Sequence, residues 1–223
     1  MARFNAKQVL EKISQGKLLP LFNEADTDVC ASVIDCCYAV GITVFELTNR
    51  NARALGVFRE LTAMREQRWP DLSLGAGTIL DHATADQYIQ AGADFIIAPD
   101  MNPDVGEACM RAGIPWVPGC LSPTEIATAY RLGAEVIKLF PACTVGPSYI
   151  RHIHGPLPFA KIIVTGGVKT DEISARSWLD AGVFALGIGS SLFTEERMEN
   201  RRFLEIQADL ERLVFLTSSY NRE

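Results

Sequence analysis

The sequence contains no apolar segment long enough to cross a membrane, for which roughly 18 predominantly apolar residues are needed. Its opening, MARFNAKQVLEKISQG, also lacks the apolar core that a secretory signal requires. Neither a linker, a low-complexity tract nor a shift in composition divides the 223 residues. We therefore expect a soluble, cytoplasmic protein that folds as a single domain over residues 1–223.

Basic residues are in deficit. Lys and Arg number 21 against 27 Asp and Glu, which gives a formal net charge of -6. A field of this sign repels nucleic acid and anionic membranes, so neither is expected as a partner. An anionic ligand therefore has to be held by local groups rather than by the overall charge.

Cys-x-x-Cys spacing is absent, and there are only three histidines. Because no export signal is present, the cysteines are expected to be free thiols. His152 and His154 lie two residues apart in a segment that reads as helical, so their side chains are expected on different faces. We therefore predict neither a disulfide nor a metal site. The six cysteines are Cys30, Cys36, Cys37, Cys109, Cys120 and Cys143.

Short apolar segments recur along the chain at intervals of 20 to 30 residues. The spacing accommodates one strand and one crossover helix, and nearly continuous apolar runs are typical of parallel strands covered on both faces. The pattern predicts an α/β protein with a (β/α)8 TIM-barrel fold, and a doubly wound open sheet is the alternative. The eight candidate strands begin near Leu18, Thr43, Ser73, Phe95, Trp116, Val136, Lys161 and Phe184.

Helices are predicted between these strands and at both ends of the chain. A helix from Ala6 to Gln15 precedes the first strand and is expected to close the bottom of the barrel. Thr27 or Asp28 is predicted to cap the helix that follows the first strand. The segment from Thr194 to Phe215 has a helical apolar stripe and is predicted to be one helix.

The most informative polar residue is Lys138, which lies inside the apolar segment VIKLFP. In a barrel or a doubly wound sheet, ligands bind at the carboxyl ends of the strands, so polar residues there are the candidates for chemistry. Burial lowers the pKa of a lysine amine and makes it a nucleophile that can condense with a ketone. The alternative interpretation is a lysine that snorkels from a strand end or forms a structural ion pair with Glu46.

Glu46, in FELT, is open to two interpretations as well. It either forms a buried charge pair or moves protons beside an imine. Arg50 follows at a strand-to-helix junction and offers a bidentate fork for a carboxylate, although an ordinary surface arginine also fits that position. Groups of opposite charge at two strand ends favour a functional pair over either residue alone.

Glycines follow the last two predicted strands, in TGGV and GIGSS. Their bare backbone N–H groups are predicted to lead into helix N-termini, where barrels often bind phosphate. Turn glycines are common, so neither motif is specific alone, but their occurrence after consecutive strands favours an anion site.

These motifs together resemble the class I 2-keto-3-deoxy-6-phosphogluconate (KDPG) and 2-keto-4-hydroxyglutarate (KHG) aldolases. The resemblance implies a lyase that cleaves KDPG, or a related 2-keto-4-hydroxy acid, to pyruvate and an aldehyde, as in the Entner-Doudoroff pathway. It also implies a homotrimer and no cofactor, because the imine itself is the electron sink. The matching segments, from Leu18 to Phe193, are GITVFELTNRNA, LGAGTIL, IAPDMNP, VPGCLSPTE, VIKLFPA, GPSYI with GPLP, TGGV and GIGSSLF.

The resemblance implies a role for each matching position. Lys138 resembles the lysine that forms a Schiff base with the keto acid, Glu46 resembles the proton-transfer residue, and Arg50 resembles part of the carboxylate site. The positions that resemble the substrate pocket are Thr78, Pro99 and Phe140. The positions that resemble the site for a distal phosphate are Thr165, Gly166, Gly167, Gly189 and Ser190.

The sequence departs from the family pattern at four positions near the expected site. Asp100 stands where glycine is frequent and places a negative charge near a pocket for anionic substrates. Asn49 and Asn51 flank Arg50 where leucine and threonine are common, and Val164 replaces a usual proline. These changes leave the expected catalytic residues intact and leave the identity of the distal substrate group open.

Two other functions stay open on the sequence. A sugar-phosphate epimerase or isomerase would use Glu46 as a base and would form no imine on Lys138. A non-catalytic sugar-phosphate-binding barrel would show no reaction at all. The aldolase mechanism requires that the Lys138 amine and the Glu46 carboxylate face one cavity.

Overall fold

The computed structural model describes residues 2–221 as parallel strands that alternate with helices. Every predicted strand is present and begins at the predicted residue or one residue later. The prediction of a single domain over residues 1–223 includes positions outside the described range and stays a prediction. The strands are β1 (Leu18–Phe22), β2 (Val44–Thr48), β3 (Ser73–Gly77), β4 (Ile96–Ile97), β5 (Trp116–Val117), β6 (Gly119–Cys120), β7 (Ile137–Leu139), β8 (Ile162–Thr165) and β9 (Ala185–Ile188).

The strands form a barrel that closes at the segment containing β5 and β6. The order is β5-β4-β3-β2-β1-β9-β8-β7-β6, and all neighbours are parallel. Pro118, which has no N–H to give to a ladder, divides one predicted strand into these two. Because β5 pairs with β4 and β6 pairs with β7, this segment joins the two edges. The predicted barrel is confirmed, and the open sheet is wrong.

Helices cover the outside of the barrel. Within residues 2–221, none of them is both long and apolar enough to cross a membrane. Two short 3-10 turns cover Ala142–Thr144 and Ser219–Asn221. The helices are α1 (Ala6–Gly16), α2 (Thr27–Ala39), α3 (Ala54–Arg68), α4 (His82–Gln90), α5 (Pro103–Ala112), α6 (Pro123–Arg131), α7 (Pro147–His154), α8 (Glu172–Leu179), α9 (Glu195–Glu199) and α10 (Phe203–Ser218).

Two details of the helix predictions are wrong. The cap of α2 is Asp26, whose carboxylate accepts from two backbone N–H groups in the first turn, and not Thr27 or Asp28. The segment from Thr194 to Phe215 forms two helices, because Arg201 between them has a left-handed φ of 49°. No residue of α9 is buried, whereas the apolar stripe that packs on the core belongs to α10.

The first helix closes the N-terminal end of the barrel, as predicted. Asn5 and Gln8 form a capping box that fixes the start of α1. Val9, Leu10 and Ile13 on one side of the helix are buried against side chains that fill the barrel interior. Those interior side chains are Leu19, Val44, Phe95, Ile97, Val117, Val136, Ile163 and Ala185.

A fully buried carboxylate, Asp94, ties the segment before α1 to the barrel. It accepts hydrogen bonds from the backbone N–H groups of Arg3 and Phe4, at 2.6 and 3.2 Å, and of Leu74, at 2.9 Å. It also forms an ion pair with the buried guanidinium of Arg65. One side chain therefore holds three elements at the closed end.

Loss of this carboxylate is expected to destabilise the fold strongly. Asp94→Ala leaves Arg65 as an unpaired buried charge, so the free energy of unfolding should fall by about 3–5 kcal/mol. Glu11→Ala, which removes the exposed partner of Lys7 on α1, is the control and should cost no more than about 0.5 kcal/mol. Urea unfolding measures both variants, and equal losses would contradict the assigned role of Asp94.

Candidate active site

Glu46 and Lys138 meet inside the barrel. Glu46 is at the centre of β2 and Lys138 is at the centre of β7, and these strands are not neighbours in the sheet. Their side chains therefore reach each other only through the interior, where Lys138 Nζ lies 3.9 Å from Glu46 Oε1. The side chain of Lys138 is 3% exposed and that of Glu46 is 0% exposed. Both groups thus point into the barrel interior from the same side of the sheet, as the mechanism requires.

Glycines on neighbouring strands make the space for the polar side chains of the interior. A Cβ atom at Gly77, in β3, would lie 1.7 Å from Glu46 Oε1. A Cβ atom at Gly187, in β9, would lie 2.2 Å from the hydroxyl oxygen of Thr165. Neither glycine was assigned this role from the sequence, because the contact depends on the register between strands.

The electrostatic environment of Glu46 suits a proton-transfer group. Burial raises the pKa of its carboxyl from the ordinary value of 4.5, and the positive charges of Lys138 and Arg50 oppose that rise. Among the described residues, neither carboxylate oxygen has a hydrogen-bond partner. Lys138 Nζ also lies 5.1 Å from the centroid of the Phe140 ring. A buried carboxylate with unused lone pairs beside an amine is typical of acid–base sites.

Arg50 and Thr78 lie together at the carboxyl ends of β2 and β3. Arg50 is exposed, and its Nε donates a hydrogen bond to Thr78 Oγ1 at 3.2 Å. Thr78 has a left-handed φ of 60°, which β-branched residues rarely adopt and which concentrates at functional sites. The Arg50 side chain forms no other hydrogen bond or ion pair within residues 2–221, so its Nη groups are free to bind an anion.

The two other expected pocket residues lie on adjoining strand ends. Pro99 follows β4, and a Cβ atom at Gly119 would lie 2.1 Å from the Pro99 carbonyl oxygen. The exposed Asp100 follows it at the rim. Phe140 follows β7, with its ring close to Lys138 on one side and to the glycine loop after β8 on the other.

The glycine loop after β8 has a backbone conformation that residues other than glycine rarely adopt. Gly166 and Gly167 have φ values of 91° and 78°, and a Cβ atom at Gly167 would lie 2.5 Å from the Cβ of Cys143. The backbone N–H of Cys143 donates to the Gly166 carbonyl at 3.0 Å. These contacts join the end of the Lys138 strand to the loop.

The second glycine motif lies after β9, next to β1. A Cβ atom at Gly189 would lie 2.8 Å from the Leu21 side chain, and Ser190 is exposed. The glycines lead into the following helices only through short loops. The helices α8 and α9 begin at Glu172 and Glu195, each after an intervening loop. Any anion bound here would contact loop N–H groups rather than the start of a helix.

The six cysteines are all unpaired, and only Cys143 is exposed. Burial raises the pKa of the Cys120 thiol to about 12, which keeps that residue protonated beside the site. Across the described range 2–221, no three or more His, Cys, Asp or Glu side chains form a group that could hold a metal ion.

Comparisons with known proteins agree with this geometry. The KDPG and KHG aldolase family model matches residues 9–208. The 2-dehydro-3-deoxy-phosphogluconate aldolase of Haemophilus influenzae is 31% identical over 199 residues, which cover 87% of this chain and 89% of that protein. The protein of the same name from Pseudomonas aeruginosa is 33% identical over 162 residues, which cover 72% of this chain and 71% of that one.

A solved structure extends the comparison to the fold. The KDPG aldolase of Legionella pneumophila, captured with pyruvate as a covalent carbinolamine, superimposes with a TM-score of 0.82 at 24% identity. The superposition covers 92% of this chain and 97% of that one. The fold, the family match and the relatives agree, and the relatives are aldolases, which are carbon–carbon lyases. The chain belongs to the KDPG and KHG aldolase family.

Proposed function

We propose that the chain cleaves KDPG, or a related 2-keto-4-hydroxy acid, to pyruvate and an aldehyde through a Schiff base on Lys138. The observation that carries this proposal is the buried amine–carboxylate pair, 3.9 Å apart in the barrel interior. The names of the relatives support the substrate class, and the pyruvate carbinolamine of the Legionella enzyme supports the covalent chemistry.

The reaction begins when Glu46 accepts a proton from the Lys138 ammonium, and the free amine attacks C2 of the keto acid. The adduct's nitrogen passes a proton to its oxygen to give the carbinolamine, and Glu46 returns the first proton when the carbinolamine loses water. The resulting iminium accepts the electron pair of the C3–C4 bond as the C4 hydroxyl gives its proton to Glu46, directly or through one water. Cleavage leaves an enamine on Lys138 and a free aldehyde. Protonation of the enamine at C3 and hydrolysis of the imine release pyruvate and restore the amine.

The remaining residues bind the two ends of the substrate. The free Nη groups of Arg50 bind the carboxylate beside C2, and Thr78 holds the guanidinium. Pro99 and Phe140 line the pocket between the ends. A distal phosphate is held by the residues after β8 and β9, which are Thr165, Gly166, Gly167, Gly189 and Ser190. The left-handed Gly166 and Gly167 support the part of this assignment after β8, because they leave backbone N–H groups uncovered for an anion.

The pH dependence of kcat/KM should report the raised pKa of Glu46. The carboxylate has to be ionised to accept a proton, so activity is full above its pKa and falls as the pH decreases through it. Because burial raises this pKa, the acid limb is expected above pH 4.5. In the Glu46→Gln variant, the pH profile of the residual kcat/KM should lack this acid limb. An acid limb at an unchanged position in that variant would assign it to another group.

A coupled assay tests the proposed reaction. Incubation with KDPG or 2-keto-4-hydroxyglutarate, in the presence of lactate dehydrogenase and NADH, should oxidise NADH as the keto acid is cleaved. An epimerase would convert a sugar phosphate without releasing pyruvate. A binding protein would be stabilised thermally by the ligand without any turnover. Absence of pyruvate from both substrates would overturn the proposal.

We further propose that the enzyme is a cytoplasmic homotrimer, as the family resemblance implies. Exposed apolar side chains on neighbouring elements support self-association: Met110, Leu132 and Phe159 are 55%, 36% and 57% exposed. Size-exclusion chromatography with light scattering should give three times the mass of the chain. A monomer at micromolar concentration would contradict the assembly.

A further inference from the structure

The turn that follows β2 carries Arg50 between two asparagines, and each asparagine has a side-chain partner on a different element. We propose that Asn49 and Asn51 are positioning residues for Arg50, with Tyr88 and Asn23 as their partners. The inference rests on the proposed function of Arg50 in binding the substrate carboxylate. It assigns a role to the two positions where this chain replaces the leucine and threonine that are common in the family.

The first support connects the turn to α4 and β3. The Tyr88 hydroxyl donates a hydrogen bond to Asn49 Oδ1 at 3.0 Å, and the Asn49 backbone N–H donates to the Gly77 carbonyl at 2.7 Å. The Tyr88 ring is buried edge-on against Phe58, with centroids 5.1 Å apart. Burial raises the pKa of Tyr88 to about 12, so the hydroxyl stays a donor. A leucine at position 49 would have no acceptor for it.

The second support connects the turn to β1 and α3. Asn51 Nδ2 donates to Asn23 Oδ1 at 2.8 Å, and Asn23 directly follows β1. Asn51 Oδ1 accepts from the backbone N–H of Arg53 at 2.9 Å. The amide of Asn51 therefore uses its donor and its acceptor at the same time, toward two different elements.

Arg50 is held at its backbone and nearly free at its side chain. Its backbone N–H donates to the Thr48 carbonyl at 3.0 Å, and its exposed side chain has the single hydrogen bond to Thr78. A long, exposed side chain loses rotamer freedom when it binds a ligand. Fixing residues 49 and 51 limits the directions that Arg50 can take and so reduces this loss. The two asparagines should therefore affect binding of the carboxylate more than the chemical step.

Tyr88→Phe and Asn51→Ala test the two supports separately. Each removes a side-chain hydrogen bond, and each is expected to raise the KM for the keto acid roughly 3- to 10-fold while kcat stays within about twofold. The control is Tyr130→Phe on α6, which removes a hydroxyl that donates to the Lys161 carbonyl at 3.2 Å and accepts from the Lys161 backbone N–H at 2.6 Å. The control should lower the melting temperature and leave KM unchanged. A loss of stability without a change in KM in both test variants would overturn the proposal.

A double-mutant cycle with Arg50→Ala distinguishes positioning from a general effect. The readout is the pyruvate concentration that gives half-maximal borohydride trapping on Lys138, which does not require turnover. Tyr88→Phe should raise this concentration in the native background and leave it unchanged when Arg50 is absent. An equal rise in both backgrounds would overturn the positioning role while the trapped adduct still supports the aldolase function. Absence of any adduct in the native protein would overturn both.

Discussion

Replacing Lys138 with methionine or arginine is expected to lower kcat for aldol cleavage by at least about 10⁴-fold. Methionine removes the nucleophile and keeps an unbranched chain of similar length. Arginine keeps a positive charge beside Glu46, but its delocalised guanidinium stays protonated and does not attack a carbonyl. The two variants therefore separate loss of the nucleophile from loss of the buried charge. The coupled pyruvate assay measures kcat, and circular dichroism verifies the fold.

The control for this prediction is Lys161→Met, which changes an exposed lysine just before β8, at the opposite end of that strand from the proposed site. Its activity should match that of the native protein. If Lys138→Arg retained more than about one-tenth of the native kcat, the imine mechanism on Lys138 would be wrong.

Glu46→Gln is expected to lower kcat by about 10²- to 10⁴-fold, the usual range for loss of a general acid–base group. The amide has nearly the size of the carboxylate, so it fits the space that Gly77 leaves. It cannot accept a proton from the Lys138 amine or from the C4 hydroxyl. Imine formation with pyruvate should continue at a reduced rate, because the amine itself is intact.

A large loss of kcat together with continued imine formation is specific to a proton-transfer role for Glu46. Glu107→Gln, on the exposed face of α5, is the control and should be fully active. Samples quenched with borohydride at successive times after pyruvate addition give the rate of imine formation, and the coupled assay gives kcat. A Glu46→Gln variant with kcat within about twofold of native would limit Glu46 to a structural ion pair.

The barrel follows from features that are local in the sequence. Nearly continuous apolar runs at intervals of 20 to 30 residues predict parallel strands with crossover helices, and the structure has them. The division of one strand at Pro118 and the break at Arg201 were not predicted. In both places tertiary packing decides the outcome: the segment around Pro118 pairs with a different strand on each side, and the stripe that packs on the core begins only at Phe203.

The site was predicted in part. Glu46 and Lys138 stand out because a charged residue within an apolar strand is costly to bury for packing alone. Arg50 is exposed and was singled out by its place after β2 and by the family resemblance. The mutual distance of the three residues depends on registers around the whole barrel, which no local pattern contains. The space at Gly77 and the partners of Asn49 and Asn51 depend on the same registers. The family resemblance therefore marked the two asparagines as unusual without showing what they contact.

The central claim is a covalent imine on Lys138, and borohydride reduction in the presence of pyruvate tests it most directly. The chain has six lysines, and Lys138 is the buried one. The other five are exposed or half-buried: Lys7, Lys12, Lys17, Lys161 and Lys169. Peptide mass mapping after reduction is predicted to show one pyruvyl adduct, on the peptide that contains Lys138. No adduct, or an adduct on any of the other five, would contradict the mechanism.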